Sequence, residues 1–365
     1  MPATARREIV RDGEVGVYHC WGRCVRRAFL CGDDPPSGRN FDHRRDWLRD
    51  VQRQFAALFG VEICFHAEMS NHLHLVLRTR PDVVAQWTDE EVARRDLLIN
   101  RLVRSDTSEP PREPAESELA VRTADPLRVA AMRARLASIS RFMGAVCEHV
   151  ARRANQEDGC TGRFWEGRFH CRSLEDEAAI LVCGMYVDLN PIRAGLAETP
   201  EESTHTSARD RIDGLRARLT SREPGEVAAA AAVDGWLCEL SLEEGGELSL
   251  EEGAAVDLPA LNRTAAPGRR ASEKGLLPVS LTDYLSLLDW TGRSLAGGKR
   301  GAIPAHCAPI LARLGINADL WTDLVTRFDR LFGAVVGRAA RVAQRAAERG
   351  RRWYQGHGAC AAAFG

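Results

Sequence analysis

Met69-Ser-Asn-His-Leu-His-Leu-Val-Leu77 is the stretch from which the rest of this chain is read. Leu73, Leu75, Val76 and Leu77 favour a buried strand, because such side chains pack well on a pleated surface. Alternate side chains of a strand share a face, so His72 and His74 are presented together. Two imidazoles held side by side are able to bind a divalent metal ion. The plain alternative is two polar residues on a half-exposed strand, and this segment alone does not choose between them.

A second segment lies over a hundred residues downstream: Met185-Tyr-Val-Asp-Leu-Asn-Pro-Ile-Arg-Ala-Gly195. The run from Leu174 to Leu189 has helical composition. Glu175, Asp176 and Glu177 suit the positive end of a helix dipole. Ser173 reads as the N-cap, with Asp176 three residues on. Pro191 stops the helix near Asn190. Tyr186 and Asn190 then stand i, i+4 on its last turn, offering a phenol and an amide oxygen together. The alternative is a core tyrosine and an asparagine that closes the helix.

Together, His72-Leu73-His74 and Tyr186-Val187-Asp188-Leu189-Asn190-Pro191 resemble the motifs of the single-tyrosine HUH transposases, most closely the REP-associated tyrosine transposase branch. Gly162-Arg163-Phe164-Trp165-Glu166-Gly167-Arg168-Phe169 and Val17-Tyr18-His19 are also similar to segments of that branch, and the resemblance covers roughly residues 10–205. It implies that Tyr186 is the nucleophile and that His72, His74 and Asn190 hold the metal. Asp188 and Glu68 are the next candidates should Asn190 not serve. The implied substrate is single-stranded DNA with hairpin ends. Both monomers and homodimers occur among such proteins.

The chemistry is consistent on its own terms. A tyrosine hydroxyl can attack phosphorus and hold the 5′ phosphate covalently, which conserves the phosphodiester energy for rejoining. A divalent ion withdraws charge from the non-bridging oxygens as a Lewis acid. Two imidazoles and an amide oxygen suit Mg²⁺ or Mn²⁺, and the imidazoles lean toward Mn²⁺.

The 365 residues leave room for two or three domains, and 44% apolar content is enough for real cores. No apolar stretch is long enough to span a membrane, and the N-terminus carries no apolar run of a signal peptide. Eleven scattered cysteines without a Cys-x-x-Cys pair suit free thiols in a reducing cytoplasm, where a DNA enzyme would lie with the nucleoid. The net charge is only −1, but its distribution matters more than its sum. Residues 131–172 carry eight arginines against four acids, and lysine occurs only at 274 and 299. Arg163, Arg168 and Arg193 are the candidate phosphate contacts, and Phe164, Trp165 and Phe169 interleave as candidate stacking surfaces. The alternative is aromatic core and solvated arginine.

The hydrophobic pattern predicts strands at 15–31, 61–68, 72–79 and 163–172, helices at 42–59, 89–104 and 130–154, and then the tyrosine helix. Pro and Glu residues from 109 mark a linker inside an insertion at about 86–129. This order predicts an α+β fold: a ferredoxin-like split βαβ antiparallel sheet with helices on one face, followed by a mostly α-helical C-terminal extension. The predicted units are 1–205, a linker with an acidic octapeptide duplication at 206–275, and a helical extension at 276–365. Arginines 338–352 in that extension read either as a DNA clamp or as a solvated helix face.

Two other function classes stay open. A domesticated or non-catalytic sequence-specific DNA-binding protein would keep the same fold. A replication initiator or relaxase would carry paired tyrosines or a helicase module; the four tyrosines here are scattered and no Gly-x-x-x-x-Gly-Lys loop occurs. His205-Thr206-Ser207 formally matches the second motif of a 2H phosphodiesterase but lacks a strand context.

Overall fold

The computed structural model describes residues 5–25, 31–34, 38–105, 107, 109–241, 269–296, 311, 314 and 316–364. Its main sheet is built from β1 (Val17–Arg23), β2 (Val61–Glu68), β3 (His72–Thr79), β4 (His170–Leu174) and β5 (Val335–Val336). The spatial order is β2-β3-β1-β4-β5. The first four strands pair antiparallel, and β5 joins β4 in parallel. The fold is α+β, and its first four strands have the split βαβ order.

Strand alternation divides the interior into two cores. On the first face, Tyr18, Cys20, Leu73, Leu75 and Leu77 pack against α1 (His43–Leu58). The same core takes in α2 (Asp89–Arg104), which follows β3. The predicted linker region is partly helical: α3 (Glu116–Thr123) and α4 (Pro126–Leu136) pack on α2. The single helix expected at 130–154 is two, α4 and α5 (Ile139–Glu157). The break falls at Ser138, whose side chain accepts from the Arg141 amide and caps α5.

The strand expected at 163–172 begins only at His170. The preceding residues make a single bridge between Cys24 and Trp165 rather than a ladder. Phe164 is buried, and the Trp165 indole donates to the Cys147 carbonyl at 2.8 Å, so both serve the core. Strand β4 then runs on through Ser173 to Leu174, because Leu174 pairs with both Val17 and Val336. Ser173 is therefore a strand residue. The N-cap of the tyrosine helix α6 (Glu177–Asp188) is Asp176, which accepts from the Ala179 amide at 3.0 Å.

The crossover helices cover one face as expected, while α6 and the C-terminal extension cover the other. Phe65, Ala67, Val76 and Leu174 meet α6 there, together with Tyr284, Trp321, Phe328 and Val335. A bulge between Ile63 and Phe65 makes this possible, since it turns Phe65 to the face opposite Ile63. Every residue of α6 from Ala178 to Asp188 is buried, the mark of a helix enclosed on all sides. After α6 come a short turn, α7 (Asn190–Arg193), and then α8 (Ser207–Thr220), α9 (Pro224–Asp234) and α10 (Leu281–Ala296).

The extension is tied down by buried polar contacts. Asp188 accepts from the Ser207 hydroxyl, the Ala208 amide at 3.0 Å and the Tyr284 hydroxyl at 2.6 Å. The Trp321 indole, at the start of α11 (Trp321–Thr326), donates to the Thr291 hydroxyl at 2.9 Å. Beyond it lie α12 (Phe328–Leu331) and α13 (Ala339–Glu348). Several of the tail arginines brace the fold. Arg345 and Arg349 donate to the Ile9 and Val10 carbonyls, and Arg351 pairs with Glu8. Arg338 reaches the Leu314 carbonyl, while Arg341 and Arg352 are exposed. Most of the acidic duplication, from 242 on, and most of residues 297–315 of the predicted extension lie outside the described residues. No described helix is long and apolar enough to cross a membrane.

Two substitutions test whether the extension carries the stability of the whole. Trp321→Ala removes a fully buried indole and is expected to cost about 3–5 kcal/mol. Tyr284→Phe takes a donor from buried Asp188 and is expected to cost about 1–3 kcal/mol. Urea unfolding followed by sheet-core fluorescence and by far-UV circular dichroism should give coincident transitions in both variants.

Candidate active site

The floor of the site follows from strand register. His72 lies opposite Arg23, His74 opposite Trp21, and Trp21 in turn opposite His170. His19 lies opposite Arg172 in the next rung. These side chains line one cleft of about 480 Å³ with Tyr186, Asn190, Arg193, Glu166 and Asp329. The sheet thus brings together the two sequence-predicted histidines, the tyrosine and the asparagine.

Tyr186 stands edge-on above the histidines. Its ring centre is 5.6 Å from that of His74 and 5.9 Å from that of His19. The Phe328 ring of α12 packs against it at 5.3 Å, and the residue is 5% exposed. Burial raises its hydroxyl pKa, and the Arg193 guanidinium, 4.5 Å from the ring centre, offsets part of that rise. The hydroxyl is therefore protonated at neutral pH. Tyr18 faces the other core, where burial pushes it up to about 12, and Tyr284 is held by Asp188.

The helix geometry differs slightly from expectation. α6 closes at Asp188, and Pro191 sits in the first turn of α7, where a missing N–H costs nothing. Tyr186 and Asn190 belong to two consecutive helical segments that line the same cleft. Of the reserve candidates, Asp188 is committed to its three hydrogen bonds. Glu68 lies on the opposite face with Gln52 and His66.

The donor set suits a divalent ion. The His72 and His74 ring centres are 5.0 Å apart. His72 Nδ1 is 2.6 Å from the Asn71 side-chain oxygen, so its N–H donates there and Nε2 keeps a lone pair. His74 Nδ1 is 2.9 Å from His19 Nε2, and when it donates, His74 Nε2 is left free in the same way. Buried Asn190 has an amide nitrogen with no partner, so its amide is free to turn its oxygen to a ligand. Among the described residues no group of three His, Cys, Asp or Glu is arranged to hold a metal. The third donor offered here is the Asn190 amide.

His19 is a residue that the sequence reading did not single out. It is 1% exposed; in the Val17-Tyr18-His19 segment it stands without a role, and strand alternation sets 19, 21 and 23 on one face. Arg172 is another. It donates to the Asp329 carbonyl at 2.8 Å, and Arg193 donates to the Thr326 carbonyl at 2.5 Å. Arg172 Nη1 and Arg193 Nε remain without partners. Arg168 lines an adjoining cavity, whereas Arg163 is exposed, bonds the Glu166 carbonyl and lines neither.

No family model and no curated protein matches the chain. A solved structure described as a REP-associated tyrosine transposase bound to a REP hairpin is similar to it. That likeness has 12% identity and a TM-score of 0.34, and covers 59% of this chain and 88% of that one.

The buried imidazoles set a pH dependence. Burial holds His72 down to about 4, with Arg23 adding to the effect, and pushes His74 and His19 well below their ordinary range. Folding therefore favours their neutral form. The His72 contribution is complete above pH 6.5 and is lost as pH falls from there toward about 4, because the unfolded chain binds its protons first; those of His74 and His19 are lost in the same direction. Thermal unfolding between pH 7.5 and 4 should show this loss, and His72→Asn should flatten it.

Proposed function

We propose that this protein cuts and rejoins single-stranded DNA as a metal-dependent transposase, through a 5′-phosphotyrosine at Tyr186. The observation that carries the reading is the Tyr186 ring 5.6 Å from His74 in one cleft with His72 and Asn190. His72, His74 and Asn190 would hold Mg²⁺ or Mn²⁺, which when bound polarises the scissile phosphate. The Tyr186 oxygen attacks phosphorus, the Tyr–O–P bond forms, and the P–O3′ bond breaks. The phenol proton leaves toward the Asp329 carboxylate in the cleft, which returns it to the departing 3′ oxygen. Arg172 and Arg193 offer their unpartnered N–H groups to the phosphate oxygens. Rejoining is the reverse attack by a 3′ hydroxyl.

The substrate in this reading is a DNA strand with hairpin ends, met in the cytoplasm with the nucleoid, by a monomer or a homodimer. A second reading, a non-catalytic DNA-binding protein of this fold, is favoured by the burial of Tyr186 beneath Phe328.

Incubation with single-stranded oligonucleotides from the flanks of the coding locus, in Mn²⁺ or Mg²⁺, should yield a protein–DNA adduct on denaturing gels. Tyr186→Phe should abolish that adduct and leave binding within about twofold, since only the hydroxyl is lost. An undiminished adduct in this variant would rule out Tyr186, and no adduct with any strand would favour the binding protein. His72→Ala and His74→Ala should each remove cleavage and weaken Mn²⁺ binding in calorimetry by at least about tenfold. Asn190→Ala should weaken it less, because water partly replaces an amide oxygen.

A further inference from the structure

The cleft does not end at His170. A second cavity of about 810 Å³ shares Trp21, His170, Arg172 and Asp329 with it and extends away from the tyrosine. Its lining beyond the shared residues includes Arg6, Arg168, Phe169 and Arg330. Four arginines thus face a single acid, Asp329, along its length. Arg168 and Arg330 are both exposed, the first from the segment before β4 and the second from α12 of the extension.

Flat rings lie between these charges. The exposed His170 ring stacks on Trp21 at 5.0 Å and 17°. The Arg6 guanidinium lies 3.6 Å over the half-buried Phe169 ring. Guanidinium groups on either side of an exposed imidazole face match a strand whose phosphates repeat and whose bases are unstacked. A duplex keeps its base faces inside the stack and gives such rings nothing to cover.

We propose that this second cavity is a single-stranded DNA groove continuous with the tyrosine cleft, and that the C-terminal extension forms one of its walls. The groove holds the nucleotides on one side of the phosphate that Tyr186 attacks, with phosphates on Arg168 and Arg330 and a base on His170. The inference rests on the reading of the cleft as the place where a strand is cut, and it adds the path of that strand. It also gives the extension a part in DNA binding through Arg330 rather than through arginines 338–352.

The test is fluorescence anisotropy of the full chain with a labelled oligothymidylate, over a salt series in EDTA. This measurement stands whether or not Tyr186 ever reacts with DNA. Arg168→Ala and Arg330→Ala should each weaken binding several-fold and lower the log–log salt slope by about 0.7, and the double variant by about twice that. Arg112→Ala, an exposed arginine on the insertion, should change neither. His170→Ala should weaken binding with the salt slope unchanged, as loss of a stacked base requires. Unchanged affinity and slope in the double variant would overturn the proposal, as would absence of binding by the unaltered chain. Tighter binding of an oligouridylate of equal length would overturn the assignment to DNA.

Discussion

Everything in the site depends on how closely α6 lies on the sheet. That approach is set at one point, where Gly184 meets Phe65. A side chain at 184 would bring its Cβ to 2.6 Å from the Phe65 ring, which is fully buried and has nowhere to retreat. Glycine lets the helix settle, and two residues on, Tyr186 reaches the rings of His74 and His19. The contact has a precondition in the sheet: without the bulge near Cys64, Phe65 would face the other core. A local irregularity in β2 and a missing side chain in α6 therefore cooperate to position a phenol that neither touches.

The electrostatics of the cleft divide into two kinds of group. The imidazoles are neutral because they are buried, and buried neutral rings hold lone pairs ready for a cation. The arginines stay charged and are oriented from outside the sheet. Arg172 and Arg193 each give one N–H to a backbone carbonyl at the ends of α11 and α12, where helix geometry leaves carbonyls without partners. The extension thus satisfies its own helix ends and aims two guanidinium groups with the same bonds. The site lies on the one side of the sheet that α6 and the extension cover, although its chemistry-bearing side chains come mainly from the first two hundred residues.

Much of this was legible in the residues. Strands β2 and β3 and helices α1 and α2 carry clean periodicity, and the His-x-His pair with the Tyr-x-x-x-Asn-Pro stretch marks the cleft's two halves. What escaped depends on contacts distant in sequence. Strand β5 is two residues long, and nothing in Val335-Val336 announces a partner at Ser173 and Leu174. Ser173 looked like a cap because its strand role comes from those neighbours. Ser138 breaks a helix whose apolar stripe runs on unbroken past it. His19 reads only as the end of a strand, and its place in the site shows only when β1 is laid beside β3. Phe164 and Trp165 share their composition with stacking surfaces, and only packing reveals them as core.

The fifth strand of the sheet is made long after the other four. Strand β5 and α12, which close the edge beside β4 and cover Tyr186, follow Tyr186 by well over a hundred residues. During synthesis the histidines, the tyrosine and both arginines leave the ribosome long before the segment that completes their surroundings. Until then α6 has an apolar side with no cover, and the growing chain is exposed to aggregation and to protease. A chain that stops upstream of residue 320 is therefore expected to keep that side bare, an aggregation hazard rather than a half-working protein.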